Sequence, residues 1–141
     1  MIILDTNVLS ALMRDPADAQ VSAWLDRQDR LDVWTSSVTV FELQYGIARL
    51  AEGRQRRALD EALGALVRVD LAGRVAPLDR AAGEAAGRLA AARMARGRAV
   101  EVQDVLVAGI AVARRAVVAT RNVWHFDDLE TGVVDPWGAT G

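Results

Sequence analysis

Short apolar stretches alternate along the chain with longer segments of helical period. Ile2, Ile3 and Leu4 read as a short buried strand at the start, and residues 8–13 read as a helix that Asp15 and Pro16 end. Residues 19–27 place Val21, Trp24 and Leu25 at helical spacing. A second strand is predicted at 33–35. A helix follows over 39–50 with Phe41, Leu43, Ile47 and Leu50, and another over 54–69 with Leu59, Leu63, Leu66 and Val67 on one side. Residues 74–78 predict a strand, and Pro77 assigns it to an edge or a strand end. The Ala-rich stretch 80–96 predicts a helix stopped by Gly97. Residues 105–115 are apolar nearly all round, which predicts a buried helix. Residues 117–119 and 133–134 complete the set of strands. This alternation predicts an α/β domain with a parallel sheet.

The chain has 141 residues, so a single domain over 1–137 is expected, with 138–141 a frayed tail. Hydrophobic residues make up 52 %, enough for a real core, and no repeat, linker or low-complexity tract interrupts it. Net charge is −2, so nucleic acid would have to be held by local clusters rather than by bulk positive charge. Arginine clusters at 54–57, 93–98 and 114–115 are available, and the plain reading of most is a solvated helix face. There is no cysteine and no lysine, and His125 is the single histidine. Thiolate sites, Schiff-base chemistry, a P-loop lysine and a zinc site with two or three imidazoles are thereby excluded. The apolar start is broken by Asp5 and lacks a basic leader, so no signal peptide is read there. The apolar run 105–113 is far short of a membrane span, and a cytoplasmic protein is expected.

Three carboxylates stand out, each with an ordinary alternative. Asp5 ends a strand and opens a helix, where an N-cap is the simple explanation. Glu42 lies three residues after Thr39, the spacing of a capping box. Asp104 lies at the start of the most apolar helix, where an acid complements the macrodipole; a buried carboxylate there would also call for a partner such as a metal. Asp79, also before a helix, reads as a cap. In an open parallel sheet ligands bind beyond the carboxyl ends of the strands. Asp5 sits at such an end, Glu42 follows the 33–35 strand, and Thr120, Arg121 and Asn122 follow the 117–119 strand. Asp104 opens the helix leading into that last strand. Chain order read simply puts it on the opposite side unless the connection brings it round.

With these residues in view, the chain resembles the PIN domain, and within it the VapC and FitB type of toxin from type II toxin–antitoxin pairs. The segment Ile3-Leu4-Asp5-Thr6-Asn7-Val8-Leu9 resembles the family's first motif. Residues 35–46, from Thr35 to Gly46 with Glu42 as the acid, resemble the second, residues 102–111, from Val102 to Ala111 with Asp104 as the acid, the third, and Val118-Ala119-Thr120-Arg121-Asn122-Val123-Trp124-His125-Phe126 the fourth. Val134-Asp135-Pro136-Trp137 resembles a typical end. The resemblance implies a three-layer α/β/α fold with a short, mostly parallel central sheet. It departs at Asn122, where some relatives carry a fourth acid, and at His125, where many carry Asp. The site would then hold three negative charges, and a single metal is the sharper expectation. Asp127 and Asp128 lie close enough to substitute, against a surface-turn reading.

The implied activity is a Mg²⁺- or Mn²⁺-dependent endoribonuclease that hydrolyses RNA with metal-activated water and leaves 5′-phosphate and 3′-hydroxyl ends. Mg²⁺ takes oxygen ligands and keeps several waters. Asp5 and Asp104 are the candidate direct ligands, and Glu42 is the candidate water-mediated ligand or orienter of the attacking water. Asn122 would hydrogen-bond a coordinated water, Thr6 and Asn7 would satisfy Asp5 or such waters, and Thr120 and Arg121 would stand behind the acids or contact substrate. The resemblance also implies a cognate antitoxin that covers apolar helix surface and directs a charged side chain at the acids, a homodimer, and DNA contact only through the antitoxin. Trp24, Trp34 and Trp124 are candidate contacts, although large aromatics at helical spacing more often belong to the core. The alternative, from another class, is a weakly catalytic partner of a DNA-binding antitoxin in a repressor complex. A phosphatase of the Asp-nucleophile type fits less well: it needs a second Asp where Asn7 stands, and a lysine.

Overall fold

In a computed structural model, which describes residues 1–138, five parallel strands form one sheet in the order β3-β2-β1-β4-β5. They are β1 (Ile2–Leu4), β2 (Val33–Ser36), β3 (Val75–Ala76), β4 (Val117–Ala119) and β5 (Val133–Val134). Helices α1 (Thr6–Met13) and α2 (Ala19–Asp26) join β1 to β2; α3 (Ser37–Ala48) and α4 (Arg54–Ala65) join β2 to β3; α5 (Arg80–Ala95) and α6 (Val102–Arg114) join β3 to β4. β1 is central, pairing Ile2 with Val33 on one side and Ile2, Ile3 and Leu4 with Val117, Val118 and Ala119 on the other. The expected frayed tail at 138–141 falls almost wholly outside the described residues. Among those residues no helix is long and apolar enough to cross a membrane.

Alternation along the strands sorts the core into two layers. Ile3 and Val118 face α5 and α6, packing with Ala82, Val107, Ala108 and Ile110. Leu4, Val33 and Ala119 face the other way, against Val8, Leu9, Val21 and Trp24 of α1 and α2. The three-layer α/β/α arrangement is thus as expected. α5 and α6 touch through small residues: a Cβ on Gly109 would lie 2.5 Å from the Ala82 carbonyl oxygen and 2.5 Å from the Ala86 Cβ. The Ala-rich face of α5 exists to admit α6 this closely.

Several boundaries differ from the periodicity, for local reasons. α3 begins at Ser37, not 39, because Ser36 is the N-cap and its hydroxyl accepts the Thr39 amide at 3.1 Å. The helix expected over 54–69 ends as α at Ala65 and continues as a π turn over Leu66–Asp70. β3 is reduced to two residues at the sheet edge, where Pro77 leaves no ladder bond unmade. α6 begins at Val102, so Asp104 lies within its first turn. Its side of the sheet corrects the simple chain-order reading. A helix that feeds a parallel strand runs antiparallel to it, so α6 starts at the carboxyl end of the sheet and finishes beside the start of β4.

Candidate active site

The order 3-2-1-4-5 has its switch point between β1 and β4, where consecutive connections leave in opposite directions and open a crevice beyond the carboxyl ends. Asp5 follows β1 there, and Thr120 follows β4. The Asp5 amide donates to the Ala119 carbonyl at 2.9 Å, extending the ladder by one rung and fixing the residue against the neighbouring strand.

Asp5 occupies the N-cap position of α1, yet its side chain makes no capping bond. Its Oδ2 accepts from the Thr120 hydroxyl at 2.9 Å, and only 5 % of the residue is exposed. Thr120 is wholly buried and its hydroxyl is saturated, accepting from Asn7 Nδ2 and from the Asn122 amide, each at 3.1 Å. Thr120 therefore stands behind Asp5 and is not free to touch a phosphate. Asn7 completes the lacing by accepting the Arg121 amide at 3.1 Å.

Glu42 is no member of a capping box, because Thr39 is inside the helix and Ser36 caps it. Its Oε2 accepts from the Thr6 hydroxyl at 3.0 Å, one turn into α3 and directed toward α1. Asp104, in the first turn of α6, meets the Nδ1 of His125. Asp79, by contrast, is the cap it was read as, accepting the Ala82 amide at 3.0 Å.

Asp5, Glu42, Asp104 and Asn122 line one cleft of about 400 Å³, together with Thr6, Asn7, Ser10, Arg14, Arg121 and Trp137. The structure thus brings together the three predicted acids and Asn122. The acids sense one another. Burial lifts the Asp5 carboxyl above its ordinary pKa; the nearby Thr6 amide and then the Thr120 hydroxyl oppose the rise, and the charge of Asp104 adds to it. Burial also raises Glu42; the Thr6 hydroxyl draws it back, and the charges of Asp5 and Asp104 push it up again. Among the described residues no arginine forms an ion pair with any of the three. Nor do three acids or histidines group tightly enough to make a ready cage for a metal ion. An oxygen-lined cleft with unneutralised, spaced carboxylates is the donor set of a cation that keeps part of its water shell, as Mg²⁺ does.

Asp127 and Asp128 do not supply a fourth acid. The carboxylate of Asp128 takes a bidentate pair of bonds from Arg93, at 2.9 and 2.8 Å, and another from Arg96 at 3.0 Å. Asp127 pairs with Arg98 at 3.0 Å. Arg93 is 3 % exposed, so its pair with Asp128 is a largely buried clasp on the turn after β4, whereas Arg96 and Asp127 stay on the solvated surface as the sequence suggests. Of the tryptophans, Trp24 is core and Trp124 is exposed. Two site features were missed. One is the contact of His125 with Asp104, since the position was read only as an absent acid. The other is Trp137, which follows β5 much as Asp5 follows β1 and was read only as a chain-end signature.

Comparison with known proteins agrees with this geometry. The PIN domain family model matches residues 2–129. The VapC ribonuclease Y4jK of Sinorhizobium fredii is 36 % identical over 97 % of this chain and 98 % of its own length. Toxin FitB of Neisseria gonorrhoeae is 33 % identical over 97 % of this chain and 99 % of its own. A structure of FitAB bound to a DNA fragment superposes with a TM-score of 0.88 at 30 % identity, covering 100 % of this chain and 99 % of that one. A sheet with its switch point between β1 and β4, three acids converging on that point, and relatives matched almost end to end place this chain in the PIN domain family, beside the VapC and FitB toxins.

Proposed function

We propose that the chain is a Mg²⁺- or Mn²⁺-dependent endoribonuclease and the toxin of a toxin–antitoxin pair. The observation that carries this is the convergence of Asp5, Glu42 and Asp104 in one cleft at the sheet's switch point, with no arginine paired to them among the described residues. A divalent cation held there would lower the pKa of a coordinated water and offset charge on the scissile phosphate.

The chain's own residues do the remaining work. Asp5, backed by Thr120, and Asp104, met by His125, would be the direct ligands. Glu42, held by Thr6, would act through water or orient the attacking one. Asn122, exposed at the rim, would hydrogen-bond a coordinated water. No general base from Lys or a second His is needed, which suits a chain holding neither.

The test is cleavage of single-stranded RNA by the purified protein with Mg²⁺ or Mn²⁺, with chelator, and with Asp104→Asn. Cleavage should require the cation, vanish in the variant, and leave 5′-phosphate and 3′-hydroxyl ends. Ends bearing 2′,3′-cyclic phosphate would rule out water as nucleophile.

A cognate antitoxin, a homodimer and a cytoplasmic setting belong to the same reading. Support for the antitoxin comes from similar structures described as FitAB or VapBC bound to DNA and as a toxin–antitoxin complex. Any DNA contact would pass through the antitoxin, because this chain's net charge is −2.

A further inference from the structure

We propose that Arg121, whose guanidinium lies over the indole of Trp137, is the phosphate-binding residue of this cleft, taking a phosphate of single-stranded RNA beside the scissile one. The inference rests on the ribonuclease reading above and concerns how a site built of acids retains a polyanion.

The need follows from charge. Asp5, Glu42 and Asp104 repel RNA phosphates, and the chain carries no net positive charge to offset that. Two cationic side chains line the cleft, Arg14 and Arg121. Arg14 already has an acidic neighbour. Asp18 is held ionised below its ordinary pKa, chiefly by the Val21 amide and the Trp137 indole N–H, with the charge of Arg14 adding. Among the described residues neither arginine's side chain makes an ion pair or a hydrogen bond, but Arg14 lies near enough to Asp18 for their charges to interact, and of the two only Arg121 lies over an aromatic ring.

The placement of Arg121 is fixed from two sides. Its amide is tied to Asn7 Oδ1 at 3.1 Å, and it directly follows Thr120, which holds Asp5. Its guanidinium carbon lies 4.5 Å from the centre of the Trp137 ring. Stacking uses the face of the guanidinium and leaves its edge N–H groups free for a phosphate. The platform is itself anchored. Trp137 donates its indole N–H to Asp18 Oδ2 at 3.0 Å and its amide to Asp135 Oδ1 at 2.9 Å, and its carbonyl accepts from Gln20 at 3.3 Å. A long, rotamer-rich side chain is thereby ordered before substrate arrives, which lowers the entropy lost on binding. Arg121 is the contact in this scheme, and Trp137 is a positioning residue acting through it.

The test uses Asp5→Asn as a cleavage-silent background and a fluorescein-labelled single-stranded oligoribonucleotide of mixed sequence. Binding is read by anisotropy over a series of salt concentrations, with melting curves confirming the fold of each variant. Adding Arg121→Ala should weaken binding roughly tenfold and flatten the slope of log Kd against log salt by ~0.7, the share of one phosphate on a single strand. Arg121→Lys should restore the slope but only part of the affinity. Trp137→Ala should weaken binding by less than Arg121→Ala and add nothing on top of it, while Trp137→Phe, which keeps a ring beneath the guanidinium, stays near the background. Unchanged affinity and slope in Arg121→Ala, with the background still binding RNA, would overturn the proposal and leave the nuclease reading standing. Additive losses from Arg121 and Trp137 would overturn the claim that Trp137 acts through Arg121. If the background binds no RNA and the wild type cleaves none, the nuclease reading fails, and the phosphate contact fails with it.

Discussion

Asp5 illustrates what a single residue gives up for its position. Its carboxylate is buried and stands near another acid, and burial outweighs the hydrogen bonding that favours the charged form, so its folded-state pKa lies above the ordinary value. A carboxyl whose folded-state pKa lies above its unfolded value contributes stability below the unfolded value, and that contribution is lost as pH rises through the folded one. Without cation, wild-type stability should therefore fall as pH climbs out of the ordinary carboxylate range, and Asp5→Asn should remove that part of the slope. No capping bond is lost in the variant, and the Thr120 hydroxyl can donate to the amide oxygen instead. Thermal melts from mildly acidic to neutral pH should show Asp5→Asn at least as stable as wild type near neutrality while RNA cleavage is abolished. A drop of about 1 kcal/mol at every pH would restore the capping role. The three acids were legible as residue types at strand ends and helix starts. Their freedom from capping was not, because Ser36, Ser37 and Thr39 are all chemically able to start a helix and only the fold selects Ser36.

At the scale of elements, the turn after β4 is held by α5. Arg93, buried and bidentate to Asp128, fastens this turn, and the turn presents His125 to Asp104. The arginine draws the Asp128 carboxyl below its ordinary pKa, first through its hydrogen bond and, against the cost of burial, through its charge. That stabilisation is present above the ordinary carboxylate value and is lost as pH falls through the lowered one. Arg93→Met removes the bidentate, buried partner of Asp128 and leaves it to the more exposed Arg96 and Arg98, so it should cost about 2 kcal/mol, or roughly 7 °C in Tm, measurable by urea or thermal unfolding. Cleavage at a temperature where the variant is fully folded should fall as well, since Asp104 loses its fixed neighbour. Retained activity in the folded variant would show the clasp to be structural alone. Hydrophobic periodicity located α5 and α6 within a few residues. It could not show that Arg93 points inward, because a helix rich in alanine has little contrast between its faces.

For the molecule as a whole, the strand order was the part hidden from the sequence. Thr120 and Asp5 lie 115 positions apart and meet only because β4 pairs with β1 rather than with β3. Local patterns predicted a parallel α/β sheet but carried no signal for which strands are neighbours; the side of Asp104 turned instead on the direction of α6, which runs antiparallel to the strand it feeds. Once the order is known, the cleft gathers negative charge on a chain already at −2, and cation binding and folding become linked. A cation that binds only the folded state stabilises it by ~2.7 kcal/mol when its free concentration is about a hundred times its Kd, close to 8 °C in Tm for about this chain length. Asp5→Asn reverses the balance, since it relieves the buried charge without cation and forfeits a ligand with it. Melting curves taken with chelator and then with increasing Mg²⁺ or Mn²⁺, at ionic strength matched with NaCl, should therefore cross. The variant should equal or exceed wild type at first, and wild type should overtake it as the cation saturates. Parallel curves, with both proteins gaining equally, would mean that the ion binds elsewhere and that the three acids are not its ligands.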